Sequence, residues 1–137
     1  MNTQFQNKIY DTIVIGAGIS GISAACHLKK YIPKANFLIL EGRDNFGGTW
    51  DFFKYPGIRS DSDMHTLGFS FKPWNSRKFI ADGPAIMGYL DETIEENNLK
   101  DLIKFKMHIE SDSWNSEDSL WELRINNKKL NKLETIK

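Results

Sequence analysis

The chain has 137 residues, about the length of one domain and enough to bury a core. Eighteen basic and eighteen acidic residues are interspersed and sum to a formal charge of zero, which argues against nucleic acid or an anionic membrane surface as a main partner. A single cysteine, Cys26, excludes an internal disulfide, suits a reducing compartment and, on a helix face, reads as a packing residue.

Residues Met1 to Lys8 are polar and aperiodic and read as a lead-in to the first strand. They lack the basic and apolar regions of a secretory signal, and no run approaches the ~18 apolar residues that span a bilayer. The expectation is a soluble, cytoplasmic protein with no integral membrane segment. Ile13, Val14 and Ile15 form a short apolar run suited to a strand buried on both faces of a parallel sheet. Gly16, Gly18 and Gly21 follow as G-x-G-x-x-G. The first glycine allows a tight turn, the second a close approach of phosphate to backbone, and the third close packing of helix on strand. From about Gly18 to Lys30 apolar residues recur at helical spacing. Pro33 ends that helix near Tyr31, and its positive end faces the turn, where an anion is the natural occupant. A second strand, Phe37 to Leu40, delivers Glu41 twenty residues beyond Gly21, where a carboxylate accepts hydrogen bonds from a ribose 2′-hydroxyl and repels a 2′-phosphate. A glycine-rich turn that binds nothing is the alternative; the strand before it, the helix after it and Glu41 favour an adenine dinucleotide.

The stretch GRDNFGGTWDFFKYPGIRSDSD lacks a sustained period and reads as a long loop, of the kind that tends to carry function. Gly47 and Gly48 permit positive φ, while Trp50, Phe52, Phe53 and Tyr55 read as a hydrophobic plug beneath the loop rather than as four ligand contacts. Arg59, Asp61 and Asp63 alternate, and on their own they suggest a solvated ion-pair cluster. No histidine or cysteine completes a metal-ligand set. Phe69, Phe71, Trp74 and Phe79 are expected to bury a second loop. Asp82, Gly83 and Pro84 open a helix from Pro84 to about Asn97, with Ile86, Met87, Leu90 and Ile94 as its apolar stripe. Leu102 to Ile109 and Leu120 to Ile125 read as strands, with Ser111 to Ser119 as their hairpin connection and Trp114 packed on Trp121. Asn126 and Asn127 suggest a turn, and no closing element is legible after it. His27, His65 and His108 are scattered singly and receive no catalytic or metal role.

From the first strand to about Ile109 the chain resembles the N-terminal part of class B flavin monooxygenases. Its likeness is greatest to the FAD-containing Baeyer-Villiger monooxygenases, in the branch that includes the thioamide-prodrug activators of mycobacteria. The segments that carry the resemblance are GAGISGISAA, the strand ending in Glu41, FGGTWDFFKYPGIRSDSDMHTLGFSFKPW and IADGPAI. It implies an α/β, Rossmann-like (βαβ) FAD-binding domain over residues 9–137, incomplete, with a long aromatic loop and a C-terminal β-hairpin or meander. By the same resemblance the FAD pyrophosphate lies over Gly16, Gly18, Ser20 and Gly21, and the adenosine ribose lies on Glu41. Gly48, Thr49, Trp50, Asp51 and Phe52 lie along the flavin, and the backbone of Ile109 recognises adenine. Arg59, Ser60 and Asp61 match a stretch near the nicotinamide cofactor, with Asp61 orienting a catalytic arginine outside this chain.

The implied reaction is NADPH-driven reduction of FAD, capture of O2, and oxygen insertion into a ketone or transfer to a soft heteroatom of a small-molecule substrate. The NADPH-binding domain, its second glycine motif and the catalytic arginine belong, on this resemblance, to sequence beyond Lys137. The expectation is a truncated N-terminal segment, with a missing C-terminal half and doubtful turnover on its own. A non-catalytic dinucleotide-binding module and a non-functional remnant are the alternatives.

Overall fold

The computed structural model describes residue 5 and residues 8–137. The order along the chain is β1 (Thr12–Ile15), α1 (Ile19–Tyr31), β2 (Phe37–Glu41), two single-turn helices α2 (Thr49–Phe52) and α3 (Met64–Leu67), and α4 (Gly83–Glu96). A 3-10 turn (Lys100–Leu102) follows, then β3 (Ile103–Phe105), β4 (Met107–Asn115), β5 (Leu120–Asn127) and β6 (Lys132–Ile136). The first three strands form a parallel sheet in the order β1-β2-β3, and the last three form an antiparallel sheet in the order β4-β5-β6.

Strand β2 is the centre of this arrangement. Its side chains alternate between two cores, as strand geometry requires. Phe37 and Ile39 join Ile22, Cys26, Ile86 and Leu90 of α1 and α4 on one face, whereas Leu38 and Leu40 join Met107, Leu123, Ile125 and Ile136 of the antiparallel sheet on the other. Three layers result: helices, parallel sheet, antiparallel sheet. All of β2 is buried. Strand β1 is not, contrary to the expectation of burial on both faces. Among the described residues it pairs only with β2, and Ile15 is 61% exposed.

Helix α4 starts where Asp82 and Pro84 predict: the Asp82 carboxylate accepts from the Ala85 N–H at 3.0 Å, and proline stands in the first turn. Cys26 is buried and free, and burial pushes its thiol up to about 11, so it packs and does not react. Phe69 is buried and stacks on Phe71 and Tyr89, with Trp74 edge-on to Tyr89, as expected for a loop held by aromatics; Phe79 is exposed instead.

The sequence reading of the C-terminal third needs correction. Leu102 to Ile109 is not one strand. Lys106 adopts φ +65°, its N–H donates to Arg43 O at 3.0 Å and its carbonyl accepts from Lys128 N at 2.9 Å, so the chain leaves the parallel sheet at Phe105 and enters the antiparallel one at Met107. Ser111 to Asn115, assigned to a connection, extend β4 because their polar side chains face solvent. Asn126 and Asn127 belong to β5 rather than to a turn, and β6 is the closing strand that polar composition concealed. Trp114 and Trp121 do form the cross-strand pair, with ring centroids 5.6 Å apart. Of the lead-in, Phe5 is buried in the second core, and residues 1–4, 6 and 7 lie outside the described residues.

Lys106 sits in a conformation that a β-branched side chain resists. Replacement Lys106→Val is expected to lower unfolding free energy in urea titrations by about 1 kcal/mol, and Lys106→Gly to leave it nearly unchanged.

Candidate functional site

Two glycine turns and one carboxylate converge at the carboxyl end of the parallel sheet. In the first turn Gly16 has φ +93°, and its N–H donates to Leu40 O at 2.8 Å, which ties the turn to β2. Gly21 lies against Gly16: a Cβ there would collide with the Gly16 carbonyl oxygen and sit 3.5 Å from Val14 Cγ1. Gly18 precedes α1 in extended backbone; no side chain caps the helix and no acidic residue stands in its first turn, while Lys29 and Lys30 occupy the last. Ser20 lies exposed in that first turn. The positive end of a thirteen-residue helix thus presents unpaired N–H groups beside backbone free of side chains.

The second turn, Gly47 and Gly48, has φ of +108° and +54°. The Gly47 N–H donates to Ala17 O at 2.8 Å, and a Cβ on Gly48 would stand 3.1 Å from Gly18 Cα. Met87 of α4 fills the space behind Gly47. Glu41, only 8% exposed, completes the set: its Oε2 accepts from Ala17 N at 2.8 Å and its Oε1 from Arg43 N at 2.9 Å. An ionised carboxylate has about four acceptor positions, so capacity remains for hydroxyl donors.

The segment after the second turn is not the plug that its aromatic content suggests. Trp50 packs against the first core, but Phe52 and Tyr55 are 61% and 58% exposed and Phe53 is nearly half exposed. They contact one another along the surface, and Arg43 lies over the Phe52 ring with its Cζ 4.7 Å from the centroid. Thr49 begins the one-turn helix α2, a turn too short for periodicity to detect. A cavity of about 560 Å³ lined by Trp50, Tyr55, Ile58, Pro84 and Met87 joins α2 to the start of α4. Asp51 carries an ion pair to Arg43 at 3.0 Å and another to Lys54 at 3.3 Å. Burial pushes its carboxyl up, but hydrogen bonds from Asn45 and Lys54 and the charges of Lys54 and Arg43 outweigh that and hold it below the usual carboxylate range.

Arg59, Ser60 and Asp61 lie on a separate stretch. Ser60 is 2% exposed; its hydroxyl accepts from Ala81 N at 3.1 Å and its N–H donates to Ala81 O at 2.9 Å, while the backbone of Arg59 forms an isolated antiparallel β-bridge with that of Asp82. The ion-pair cluster expected here is not formed among the described residues. Asp63 instead caps α3 by accepting from the N–H and hydroxyl of Thr66, and Asp61 is exposed. Backbone hydrogen bonds from a helix start satisfy Asp63 without a cation. Ile109 pairs with Ile125 in β4, one residue beyond His108, which packs against Gly42 just past Glu41. Sequence reasoning missed Arg43, which no periodicity or motif singles out, and the Ala17 backbone, which carries no side-chain signal.

Residues 14–91 match the family described as NAD(P)-binding Rossmann-like domain. The chain is 54% identical over 124 residues to a probable FAD-binding monooxygenase, AlmA, of an Acinetobacter species, covering 89% of this chain and 25% of that protein. It is 50% identical over 116 residues to the FAD-containing monooxygenase EthA of Mycolicibacterium smegmatis, covering 85% and 24%. Among solved structures, an oxidised steroid monooxygenase bound to NADP superposes with a TM-score of 0.82 at 26% identity, over 94% of this chain and 25% of that one. An open crystal structure of cyclohexanone monooxygenase superposes with a TM-score of 0.81 at 27% identity, over 95% and 26%. The chain therefore spans about a quarter of the length of the curated relatives it matches.

The glycines differ in what they tolerate. Gly21→Ala forces a collision with backbone and is expected to cost about 1–3 kcal/mol. In Gly18→Ala the new Cβ would meet Gly48 Cα at an ordinary 3.6 Å and φ stays negative, so the cost is expected to stay below about 1 kcal/mol. Thermal unfolding of the two variants side by side checks the order.

Proposed function

The chain belongs to the NAD(P)-binding Rossmann-like domain family, and from that premise we propose that it is the FAD-binding N-terminal segment of an NADPH- and O2-dependent flavin monooxygenase of the Baeyer-Villiger type. The observation that carries this reading is the junction of Gly18, Gly48 and Glu41, where a Cβ on either glycine would fill the space and a buried carboxylate stands beside it. Such a junction suits a diphosphate linked to a ribose that bears a free 2′-hydroxyl.

In this assignment Gly16, Gly18, Ser20 and Gly21 receive the pyrophosphate on backbone N–H groups at the head of α1. Glu41 binds the ribose hydroxyls of the adenosine, and the backbone of Ile109 meets the adenine. Gly48, Thr49, Trp50, Asp51 and Phe52 run along the flavin, Asp51 through its backbone because its carboxylate is already paired. Arg59, Ser60 and Asp61 lie toward the nicotinamide partner, with Ser60 held rigid by Ala81. FAD, when bound, supplies the redox chemistry, taking hydride from NADPH and activating O2. The residues of this chain bind it, orient it and keep water from its phosphate and ribose. The substrate class is a ketone or a sulfur or nitrogen compound, and a cytoplasmic location is part of the same reading. Among the described residues no helix is long and apolar enough to cross a membrane.

The test is ligand-dependent stability. FAD at about one hundred times its dissociation constant should raise unfolding free energy by about 2.7 kcal/mol. Glu41→Gln and Gly18→Ala should abolish most of that gain, and NADP, with its 2′-phosphate, should give none at Glu41. Unchanged melting of the wild-type chain with both FAD and ADP would overturn the proposal.

A further inference from the structure

Asp51 is an acid in a region assigned to an anionic ligand. A bare carboxylate beside a diphosphate would repel it. The structure turns this one toward the protein. Its Oδ2 accepts from Arg43 Nη2 at 3.0 Å, and its Oδ1 accepts from Asn45 Nδ2 at 3.0 Å and from Lys54 Nζ at 3.3 Å; only 14% of the side chain is accessible.

Arg43 is held from three directions. Its guanidinium pairs with Asp51 and stacks on Phe52, and its N–H donates to the Oε1 of Glu41. The pair therefore closes the base of a loop that contains Gly47 and Gly48, both at positive φ. Two adjacent glycines have more backbone freedom than any other pair of residues, so this turn needs restraint to stay in one conformation. Its own contacts to the first turn are the Gly47 N–H to Ala17 O bond and the Gly48 approach to Gly18. The charge-assisted, stacked geometry of Arg43 suits it to such a role better than a lysine would.

We propose that Arg43 and Asp51 are a positioning pair that holds the Gly47–Gly48 turn against the Gly16–Gly21 turn, and that the Asp51 carboxylate acts on dinucleotide binding only through Arg43. The ligand in this inference rests on the FAD reading above; the restraint of the turn does not.

The experiment compares wild type, Arg43→Gln, Asp51→Asn and the double variant. FAD affinity is read by flavin fluorescence, and exchange of the Gly47 amide is read by NMR on ligand-free protein. Because either substitution breaks the same pair, each single variant should weaken FAD binding about tenfold and the double variant no further. Gly47 amide exchange should quicken by a similar factor in all three. The charge swap, Arg43→Asp with Asp51→Arg, should recover affinity relative to either single variant. Both residues lie outside the two cores, so each variant is expected to fold, and circular dichroism checks that it does.

A loss of about a hundredfold in the double variant would mean independent roles and would overturn the proposal. Unchanged FAD affinity in the singles, or unchanged Gly47 exchange, would overturn it as well. Should the wild-type chain bind no FAD, the cofactor reading fails and Gly47 exchange alone decides the pair.

Discussion

The hydrogen bond from Ala17 N–H to Glu41 Oε2 is the contact on which the site depends. It joins the first glycine turn to the end of β2, and the Ala17 carbonyl takes the Gly47 N–H of the second turn. One peptide unit on either side of Ala17 thus ties together three segments that are distant in sequence. A buried carboxylate left without donors would be costly, so Glu41 needs these amides as much as they need it. The result is a carboxylate fixed in place before any ligand arrives, and preorganisation of this kind lowers the ordering cost of binding.

Strand β2 makes that contact possible because its position is over-determined. Residues of two cores grip it from opposite faces, Ile39 against the helices and Leu38 and Leu40 against the antiparallel sheet. Glu41 is its last residue, so the rigidity of the strand is passed directly to the carboxylate. The layer behind β2 also explains why a site of this kind comes with a β-meander. A parallel sheet with helices on one face alone would leave Leu38 and Leu40 in water.

The βαβ unit was legible in the sequence because each signal was local and physical. The Ile13 to Ile15 run, the glycine spacing, Pro33 and Glu41 all act within a few residues of where they stand, and α1 and β2 form within a residue or so of the predicted places. What escaped was set by distant partners. Lys106 adopts a positive φ because Arg43 and Lys128 hold its backbone from either side, a fact that the IKFKMHI stretch cannot reveal. The outer half of β4 and all of β6 were concealed by polar residues that a solvent-facing strand tolerates. Asp63, read as one member of a charge cluster, caps a four-residue helix too short for periodicity to detect.

The aromatic loop shows where composition misleads most. Aromatic residues count as buried by default, yet Phe52, Phe53 and Tyr55 lie along the surface beside the glycine junction, while Asp51 next to them is largely buried and paired with Arg43. Apolar packing and an ion pair therefore share the loop. Phe46 and Trp50 pack against the first core, the Arg43–Asp51 pair closes the loop's base, and Phe52, Phe53 and Tyr55 are left outward, with Arg43 spread over the Phe52 face. The ion pair suits a loop that must keep two glycines bare. Packing bulky side chains into the junction would fill the space between Gly18 and Gly48, whereas a pair closed at the loop's base orders the same backbone from outside it.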